Sequence, residues 1–183
     1  IKNYSMKDLT EKTRNSKRVF KGLFLDVRKD EVILPDGHIG TREWINHPGA
    51  VCCIPVLKNG KICLIQQYRY SVRKHMIELP AGKLDIGEKP KDCAKRELEE
   101  EIGYQANNIK LLTVMYPAVG FANEKMYLFI AKELKKTKIN LDQDEFIQLV
   151  PKTLEEAIQM IWDGQISDAK TIIGLLWAER ILR

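Results

Sequence analysis

Two apolar runs near the middle of the chain constrain its fold more than any other feature. Residues 50–57 contain no charged or amide side chain, residues 61–67 include four consecutive apolar ones, and only Lys58-Asn59-Gly60 separates the two runs. Asn-Gly favours a tight hairpin turn, and a strand that is apolar on both faces is buried on both faces. The runs therefore predict two central strands that other elements cover on each side.

One helix is predicted from its end signals and its apolar spacing. Pro90 suits the first helical turn, where its missing N–H costs nothing, and Gly103 suits the left-handed position that ends a helix. Ala94, Leu98 and Ile102 recur every four residues and form an apolar stripe between those ends.

Two more helices are predicted near the C-terminus. Thr153 and Glu156 have the spacing of a capping box, which begins a helix that runs to Trp162. Either Ser167 or Asp168 then begins a helix that runs to the end of the chain.

The remaining segments predict strands, in an order that indicates the fold class. Residues 1 to about 16 are expected to form a loosely held polar segment, in which a short helix is an option. Strand signals follow at residues 19–27, 31–34, 42–45, 110–115, 125–131 and from Phe146 onward, with Pro35-Asp36-Gly37 as a hairpin turn. Strands first, one helix embedded between strands and two final helices predict an α/β (α+β) fold, a mixed sheet covered by helices on both sides. The N-terminal strands would form a small separate sheet.

Composition limits the class of protein. The 183 residues suffice for one domain and a small appendage, with 44% apolar residues and a net charge of +5. No apolar run approaches the roughly 18 residues that a membrane span needs, and the lysine-rich start is unlike a signal peptide, so a cytoplasmic protein is expected. Cys52, Cys53, Cys63 and Cys93 form no C-x-x-C pair, which predicts buried free thiols rather than a disulfide or a zinc site.

Three glutamates cluster on the predicted helix. Glu97, Glu100 and Glu101 lie at i, i+3 and i+4, so their carboxylates share one face. Like charges at that spacing repel, and hard divalent cations such as Mg²⁺ bind such clustered carboxylates. The alternative is a solvated acidic helix face, which is the commoner origin of a glutamate-rich helix.

The surroundings of these glutamates extend the pattern over residues 82–104. It reads G-x5-E-x7-R-E-U-x-E-E-x-G-U, with U a bulky apolar residue, and every specified position is filled, with Tyr104 at the end. The pattern resembles the signature of the Nudix hydrolases, which hydrolyse a nucleoside diphosphate linked to another group. The resemblance implies a Nudix α/β/α sandwich with a mixed sheet, in agreement with the order of strands and helices.

The resemblance also implies a magnesium site, with Mn²⁺ as a substitute. Its metal ligands would be Ala81 through its carbonyl, Glu97, Glu100, Glu101 and Glu145. Arg96 is a candidate catalytic residue, and together with Glu88 it would brace the loop–helix–loop. Metal ions would polarise the diphosphate and lower the pKa of a bound water.

The catalytic base is expected from an acidic loop before the last strand. Glu145 aligns best with a loop carboxylate that approaches metal or water in related enzymes, and Asp144 is a weaker candidate. Gln143 cannot accept a proton at neutral pH. Glu100 is the rival base, and a solvated acidic turn is the alternative interpretation of the loop.

Further segments look like the ADP-ribose pyrophosphatase or nucleoside diphosphate sugar hydrolase branch of the family. They are residues 24–27, 47–51, 67–70, 78–83 and 168–171. In that branch the N-terminal strands cross to a partner, which implies a homodimer. Residues 1–46 would then be an N-terminal segment with a small antiparallel sheet used in dimerisation, and residues 47–183 the Nudix domain.

The same resemblance implies substrate contacts in both parts of the chain. Arg69 would bind the diphosphate, Arg42 and Glu43 would contact substrate, and Phe24 and Trp44 are candidates to stack on the base. The competing interpretation is structural, because an arginine at a strand end is often a surface charge and an aromatic residue in a strand is often core.

The loop of residues 116–124 adds Gly120 and Glu124 as substrate-binding candidates. It departs from the branch at Val119, where a proline is usual, and carries its proline two residues earlier at Pro117. Because proline fixes φ and valine does not, the loop backbone is expected to differ. Other nucleoside diphosphate sugars therefore stay open as substrates.

The sequence thus predicts Mg²⁺-dependent hydrolysis of ADP-ribose to AMP and ribose 5-phosphate. The alternatives are a hydrolase of other nucleoside diphosphate sugars, of the ADP-glucose or GDP-mannose type, and a non-catalytic nucleotide-sensing domain. No basic stripe interleaved with aromatic residues indicates a nucleic-acid partner, so the expected ligand is a small molecule.

Overall fold

The computed structural model describes residues 8–141 and 143–182. The chain divides into two compact units. The N-terminal unit is the chain up to His47 together with Ala118–Glu124, and the main unit is Pro48–Pro117 together with the chain from Lys125 onward.

The N-terminal unit is built on a three-stranded antiparallel sheet. The strands are β1 at Lys12–Lys21, β2 at Asp26–Ile33 and β3 at Ile39–Ile45, in that spatial order. The predicted turn between β2 and β3 is present, with Gly37 at φ 88° and its N–H donating to the Leu34 carbonyl at 2.9 Å. The expected small N-terminal sheet is confirmed.

Two expectations for this unit are wrong. Residues 12–16 belong to β1 and are neither loosely held nor helical, while residues 1–7 lie outside the described part of the chain. Residues 19–27 are not one strand, because a turn at residues 22–25 separates β1 from β2. Every residue of β1 is exposed. Pairing with β2, and not burial of side chains, therefore makes β1 a strand, and a polar sequence carries no local sign of such pairing.

The main unit contains two sheets. A four-stranded mixed sheet has the order β7-β4-β9-β8, in which β4 and β9 are parallel and the other neighbours antiparallel. A three-stranded antiparallel sheet has the order β10-β5-β6. The strands are β4 at Ala50–Pro55, β5 at Ile62–Arg69, β6 at Lys74–Glu78, β7 at Ala81–Lys83, β8 at Tyr104–Met115, β9 at Met126–Lys136 and β10 at Gln148–Lys152.

The two apolar runs form β4 and β5, but they do not form an extended hairpin. The turn is present, with the Leu57 N–H donating to Lys61 at 2.8 Å and Gly60 at φ 79°. Only one bridge, Val56 to Ile62, follows before the strands enter different sheets. β4 pairs with β9 over six residues and β5 pairs with β6 and β10 over five residues each. These longer pairings outweigh the single bridge of the predicted hairpin.

The central strands are buried on both faces, as predicted. Val51 and Cys53 of β4 belong to the apolar core on the side of the first helix, whereas Cys52 and Ile54 belong to the core formed with the two C-terminal helices. This alternation along β4 produces a helix–sheet–helix sandwich. All four cysteines are buried and free, as expected.

The three helices begin and end close to the predicted positions. α1 spans Pro90–Ile102, and Gly103 ends it in the left-handed conformation at φ 68°. α2 spans Leu154–Trp162 behind the complete Thr153–Glu156 capping box, and α3 spans Ala169–Leu182. Across residues 8–141 and 143–182, no helix has the length and apolar character that crossing a membrane requires.

Candidate active site

Arg96 ties the loop before α1 to the acidic face of that helix. Its Nε and Nη2 each donate to the Glu88 carboxylate at 3.0 Å, and Nη2 also donates to the Lys83 carbonyl at 3.1 Å. Its Nη1 donates to Glu97 and to Glu100, both at 2.8 Å. The hydrogen bonds from Arg96 to Glu88 lower the pKa of that carboxyl to about 2. One side chain thus braces the turn from β7 into α1 and neutralises part of the glutamate cluster.

Two glutamates of α1 are buried. Glu97 is 9% exposed and Glu101 is 3% exposed. Burial raises the pKa of Glu97 to about 7, with Arg96 opposing the rise. Burial also raises the pKa of Glu101 well above its ordinary value, and the charge of Glu97 adds to that effect. A fold seldom buries carboxylates together without a compensating cation, because each loses its hydration.

β7 passes directly over these carboxylates. The Ala81 N–H donates to Oε2 of Glu101 at 2.9 Å. At the next residue, a Cβ added to Gly82 would overlap the carboxylate of Glu97, far inside the 3.0 Å that real Cβ atoms keep. Any other residue there would require the Glu97 carboxylate to move, which gives the first position of the sequence pattern a steric reason.

The arrangement fits a hard divalent cation by its chemistry. Buried carboxylates and backbone carbonyls are the oxygen donors that such ions take, and a cation would offset the burial and the repulsion between charges that raise the pKa of Glu97 and Glu101. In the part of the chain that the structure describes, no three His, Cys, Asp or Glu side chains already converge as a formed metal site. The Arg96 guanidinium instead binds one carboxylate oxygen of Glu97 and one of Glu100.

Glu145 in the acidic loop after β9 acts on the same cluster through its charge. The charge of Glu145 contributes to the raised pKa of both Glu97 and Glu101, so its carboxylate lies near them. Gln143 and Asp144 are exposed in a turn. Glu100 is one-third exposed and bonded to Arg96.

A second charged group lies beside the cluster. Arg69, at the end of β5, donates through Nε and Nη2 to the two carboxylate oxygens of Glu78, each at 2.7 Å. Glu78 also accepts from Lys170, and Lys170 donates to Asp168 at 2.9 Å. The charge of Arg69 lowers the pKa of Glu101, which places the guanidinium near the α1 carboxylates.

Sequence reasoning assigned no role to Glu78 or Lys170. Glu78 is 1% exposed and lies in an otherwise apolar stretch before Leu79 and Pro80. A charged residue within such an apolar stretch is the signal that could have predicted a buried ion pair, because a buried glutamate requires a partner. Its partner Lys170 is 92 residues away, which no local pattern reveals.

In the N-terminal unit, the candidate substrate residues are engaged with neighbours. Arg42 donates to Glu11, with Nε at 2.9 Å, and Glu43 pairs with Lys29 at 3.3 Å. The indole N–H of Trp44 donates to Asp30 at 2.8 Å.

Phe24 and the loop residues also lie in this unit. The Phe24 ring meets His47 edge-on, with 5.9 Å between ring centroids. The loop is attached to β3, because the Ile45 N–H donates to Phe121 at 2.8 Å. Gly120 is exposed, and a Cβ there would meet open space, while Glu124 is partly buried.

Comparison with known proteins agrees with this geometry. The nucleoside diphosphate sugar hydrolase N-terminal domain matches residues 11–45, and the NUDIX domain matches residues 45–173. The chain belongs to the Nudix family. Nudix hydrolases use divalent metal ions, which agrees with the chemistry of the α1 carboxylates.

Relatives match over most of the chain. It is 39% identical over 176 residues to an ADP-ribose pyrophosphatase of Bacillus subtilis, with 95% of each protein covered. It is 40% identical over 171 residues to a methanol dehydrogenase activator of Bacillus methanolicus, with 92% of each covered. The crystal structure of an ADP compounds hydrolase has the same Nudix fold, with a TM-score of 0.86 over 97% of both chains at 22% identity.

Proposed function

We propose that this Nudix pyrophosphohydrolase cleaves the diphosphate of ADP-ribose to AMP and ribose 5-phosphate with Mg²⁺. The observation that carries the proposal is the pair of buried carboxylates, Glu97 and Glu101, packed against the glycine of β7 and beside Arg69. Similarity to an ADP-ribose pyrophosphatase over 95% of both proteins supports the substrate.

Each candidate site residue of the main unit then has a role. Five residues would hold Mg²⁺, with Mn²⁺ as a substitute; they are Glu97, Glu101, Glu100, Glu145 and Ala81 through its carbonyl. When bound, the cation neutralises diphosphate charge and lowers the pKa of a water. Arg69 binds the diphosphate through its N–H groups.

Glu145 is the proposed base and is also a proposed metal ligand. It accepts the proton of the attacking water, and its proximity to Glu97 and Glu101 supports that role. Glu100 is the rival base, but one of its carboxylate oxygens already accepts a hydrogen bond from Arg96. Arg96 assists by holding the α1 carboxylates and Glu88 in place.

Substrate recognition in the N-terminal unit is proposed from the family resemblance. Arg42 and Glu43 contact substrate, and Phe24 or Trp44 stacks on the base. Gly120 and Glu124 contribute from the loop. A substrate phosphate would compete with Glu11 for Arg42, because that carboxylate already binds the guanidinium.

A cytoplasmic homodimer is proposed, with residues 1–46 in the dimer interface and residues 47–183 as the Nudix domain. Large apolar side chains exposed on the N-terminal unit support a partner surface, since such clusters are costly in water; they are Val19, Phe20, Leu23, Phe24 and Leu25. Free cysteines are typical of a reducing compartment. Sedimentation at several protein concentrations tests the dimer, and a monomer throughout would contradict it.

A second candidate function is action on another protein. Its support is the similarity, at 40% identity, to a protein named as an activator of methanol dehydrogenase. Nucleotide binding without turnover, as in a sensing domain, would suit this role. The intact set of α1 carboxylates favours the enzyme, because binding alone has no need of it.

A substrate panel separates these functions. ADP-ribose, ADP-glucose and GDP-mannose are incubated with Mg²⁺, and phosphate is measured after phosphatase treatment, with products separated by chromatography. We expect ADP-ribose to give AMP and ribose 5-phosphate at the highest kcat/KM. Glu97→Gln and Glu101→Gln are the matched controls and should abolish turnover. No turnover of any nucleotide would favour the sensing function. A higher kcat/KM for another nucleotide would make that nucleotide, and not ADP-ribose, the assigned substrate.

A further inference from the structure

The segment that leads from β6 into β7 is held by four different elements. The Glu78 carboxylate binds Arg69 of β5 and Lys170 of α3, and the Leu79 N–H donates to the Thr171 hydroxyl at 2.8 Å. The Pro80 carbonyl accepts from Cys53 of β4 at 2.9 Å. The Ala81 N–H donates to Glu101 of α1. Residues 78–81 therefore form a rigid junction between the candidate active site and the start of α3.

The start of α3 is itself organised by Asp168. One carboxylate oxygen of Asp168 accepts from the Thr171 N–H at 3.0 Å, from the Thr171 hydroxyl at 2.6 Å and from Lys170 at 2.9 Å. Lys170 is thus fixed between Asp168 and Glu78, and its side chain is only 11% exposed.

Lys170 offsets the free-energy cost of burying the Glu78 carboxylate. The Glu78 side chain is 2% exposed, and an isolated carboxylate at such a site would be strongly destabilising. Burial works to raise the pKa of Glu78, but the bonds from Arg69 and the charge of Lys170 outweigh it and hold the pKa below its ordinary value. Glu78 is therefore present as a carboxylate, the form that can bind Arg69 through both oxygens.

The bidentate bond restricts the orientation of Arg69. Nε and Nη2 are engaged by Glu78, and Nη1 has no hydrogen-bond acceptor within residues 8–141 and 143–182. The Arg69 side chain is 42% exposed. A free arginine side chain samples many rotamers, and fixing one side of the planar guanidinium directs the remaining N–H groups.

We propose that Glu78, secured by Lys170, is a positioning residue that orients the Arg69 guanidinium toward the diphosphate of the substrate. The inference rests on the proposed function, in which Arg69 binds that diphosphate. Lys170 acts only through Glu78, and neither residue touches the substrate.

The sign of one substitution separates positioning from simple electrostatics. Glu78→Gln removes a negative charge near the site of an anionic ligand, so electrostatics alone predicts tighter binding of ADP-ribose. Positioning predicts weaker binding, because an amide can accept only at its single oxygen and loses the bidentate bond.

A charge-neutral double variant protects the test against misfolding. Glu78→Met with Lys170→Met removes both members of the buried pair and leaves the net charge unchanged. Asp168 keeps its bonds from the Thr171 N–H and hydroxyl, and the Arg69 side chain is 42% exposed to water. The matched control is Lys132→Met with Glu133→Met, the same two changes at exposed positions of β9. Thermal unfolding confirms that each variant is folded.

The experiment measures the Kd of ADP-ribose and of adenosine in EDTA by calorimetry, and KM with Mg²⁺. We expect Glu78→Gln and the Glu78–Lys170 double variant to bind ADP-ribose about tenfold more weakly and to raise KM similarly. Adenosine, which has no phosphate, should bind all variants equally, and the control should match the wild type.

Unchanged or tighter binding of ADP-ribose by the folded double variant would overturn the positioning role. Equal losses for ADP-ribose and adenosine would also overturn it, because they would indicate a general structural defect. Failure of the proposed function has a separate signature, since the wild-type protein itself would then fail to cleave ADP-ribose.

Discussion

Gly82 and Glu97 are packed so closely that the backbone of β7 leaves no space for a side chain over the Glu97 carboxylate. The contact links the first residue of the sequence pattern to one of its buried acids. It also makes the position of that acid dependent on the path of a strand only three residues long.

Gly82→Ala is therefore expected to displace the Glu97 carboxylate and lower kcat by about 100-fold, because misplacement of a catalytic group by about 1 Å costs that much. Steady-state kinetics with Mg²⁺ measure the effect. Gly60→Ala is the matched control. Its φ of 79° strains the turn, but open space surrounds the new methyl group, so stability should fall by about 1 kcal/mol while kcat stays unchanged. Equal activity of the two variants would contradict the steric role of Gly82.

The stability of the metal-free protein should depend on pH through Glu97. Burial raises its pKa in the folded state to about 7, whereas an unfolded glutamate titrates near about 4.3. The stabilisation from the protonated form is therefore complete below the unfolded pKa and is lost as the pH rises through about 7. In EDTA we expect Tm to fall across that window.

Mg²⁺ should oppose this loss, because it binds the carboxylate and competes with the proton. The increase in Tm on adding Mg²⁺ is expected to be larger at about pH 8 than at about pH 6. Glu97→Gln should flatten the dependence in EDTA and reduce the response to Mg²⁺. Identical pH profiles for the wild type and this variant would exclude Glu97 as the source.

The identity of the base can be decided by comparing two carboxylates. Glu145→Gln is expected to lower kcat by about 100-fold or more with little change in KM, in keeping with the loss of a general base. Glu100→Gln should have the smaller effect, because Glu100 is one-third exposed and already accepts from Arg96. The reverse order in stopped assays at saturating substrate would assign the base to Glu100.

The capping box of α2 should matter for stability alone. Thr153→Ala removes the hydroxyl that accepts from the Glu156 N–H at 3.1 Å, so the free energy of unfolding should fall by about 1 kcal/mol. Urea unfolding measures the loss, and kcat/KM should be unchanged. A large loss of activity would show that α2 affects the site.

The buried thiols should be unreactive in the folded protein. Burial raises the pKa of Cys52 to about 12 and that of Cys63 to about 11, and all four cysteines are buried. A thiol reagent at about pH 8 should therefore modify them only after unfolding, since the thiolate is the reactive form. Rapid labelling of the native protein would contradict this.

Features that depend on neighbouring residues were determined by the sequence alone. Pro90 and Gly103 set the ends of α1, and Thr153 with Glu156 set the start of α2, because these signals act within one helical turn. The spacing of Glu97, Glu100 and Glu101 likewise placed three carboxylates on one helix face. The family and the cluster of acids could therefore be predicted from residues 82–104.

Features that depend on distant partners were decided only by the tertiary structure. The turn at Gly60 predicted a hairpin, but β4 paired with the distant β9, and β5 paired with the distant β10 as well as with the adjacent β6. These longer pairings outweighed the single bridge at that turn. The polar β1 became a strand through β2. Glu78 met Lys170 across 92 residues, and Gly82 met Glu97 across the packing of β7 on α1. Such contacts depend on how the chain folds back on itself, and the types and spacings of adjacent residues do not predict them.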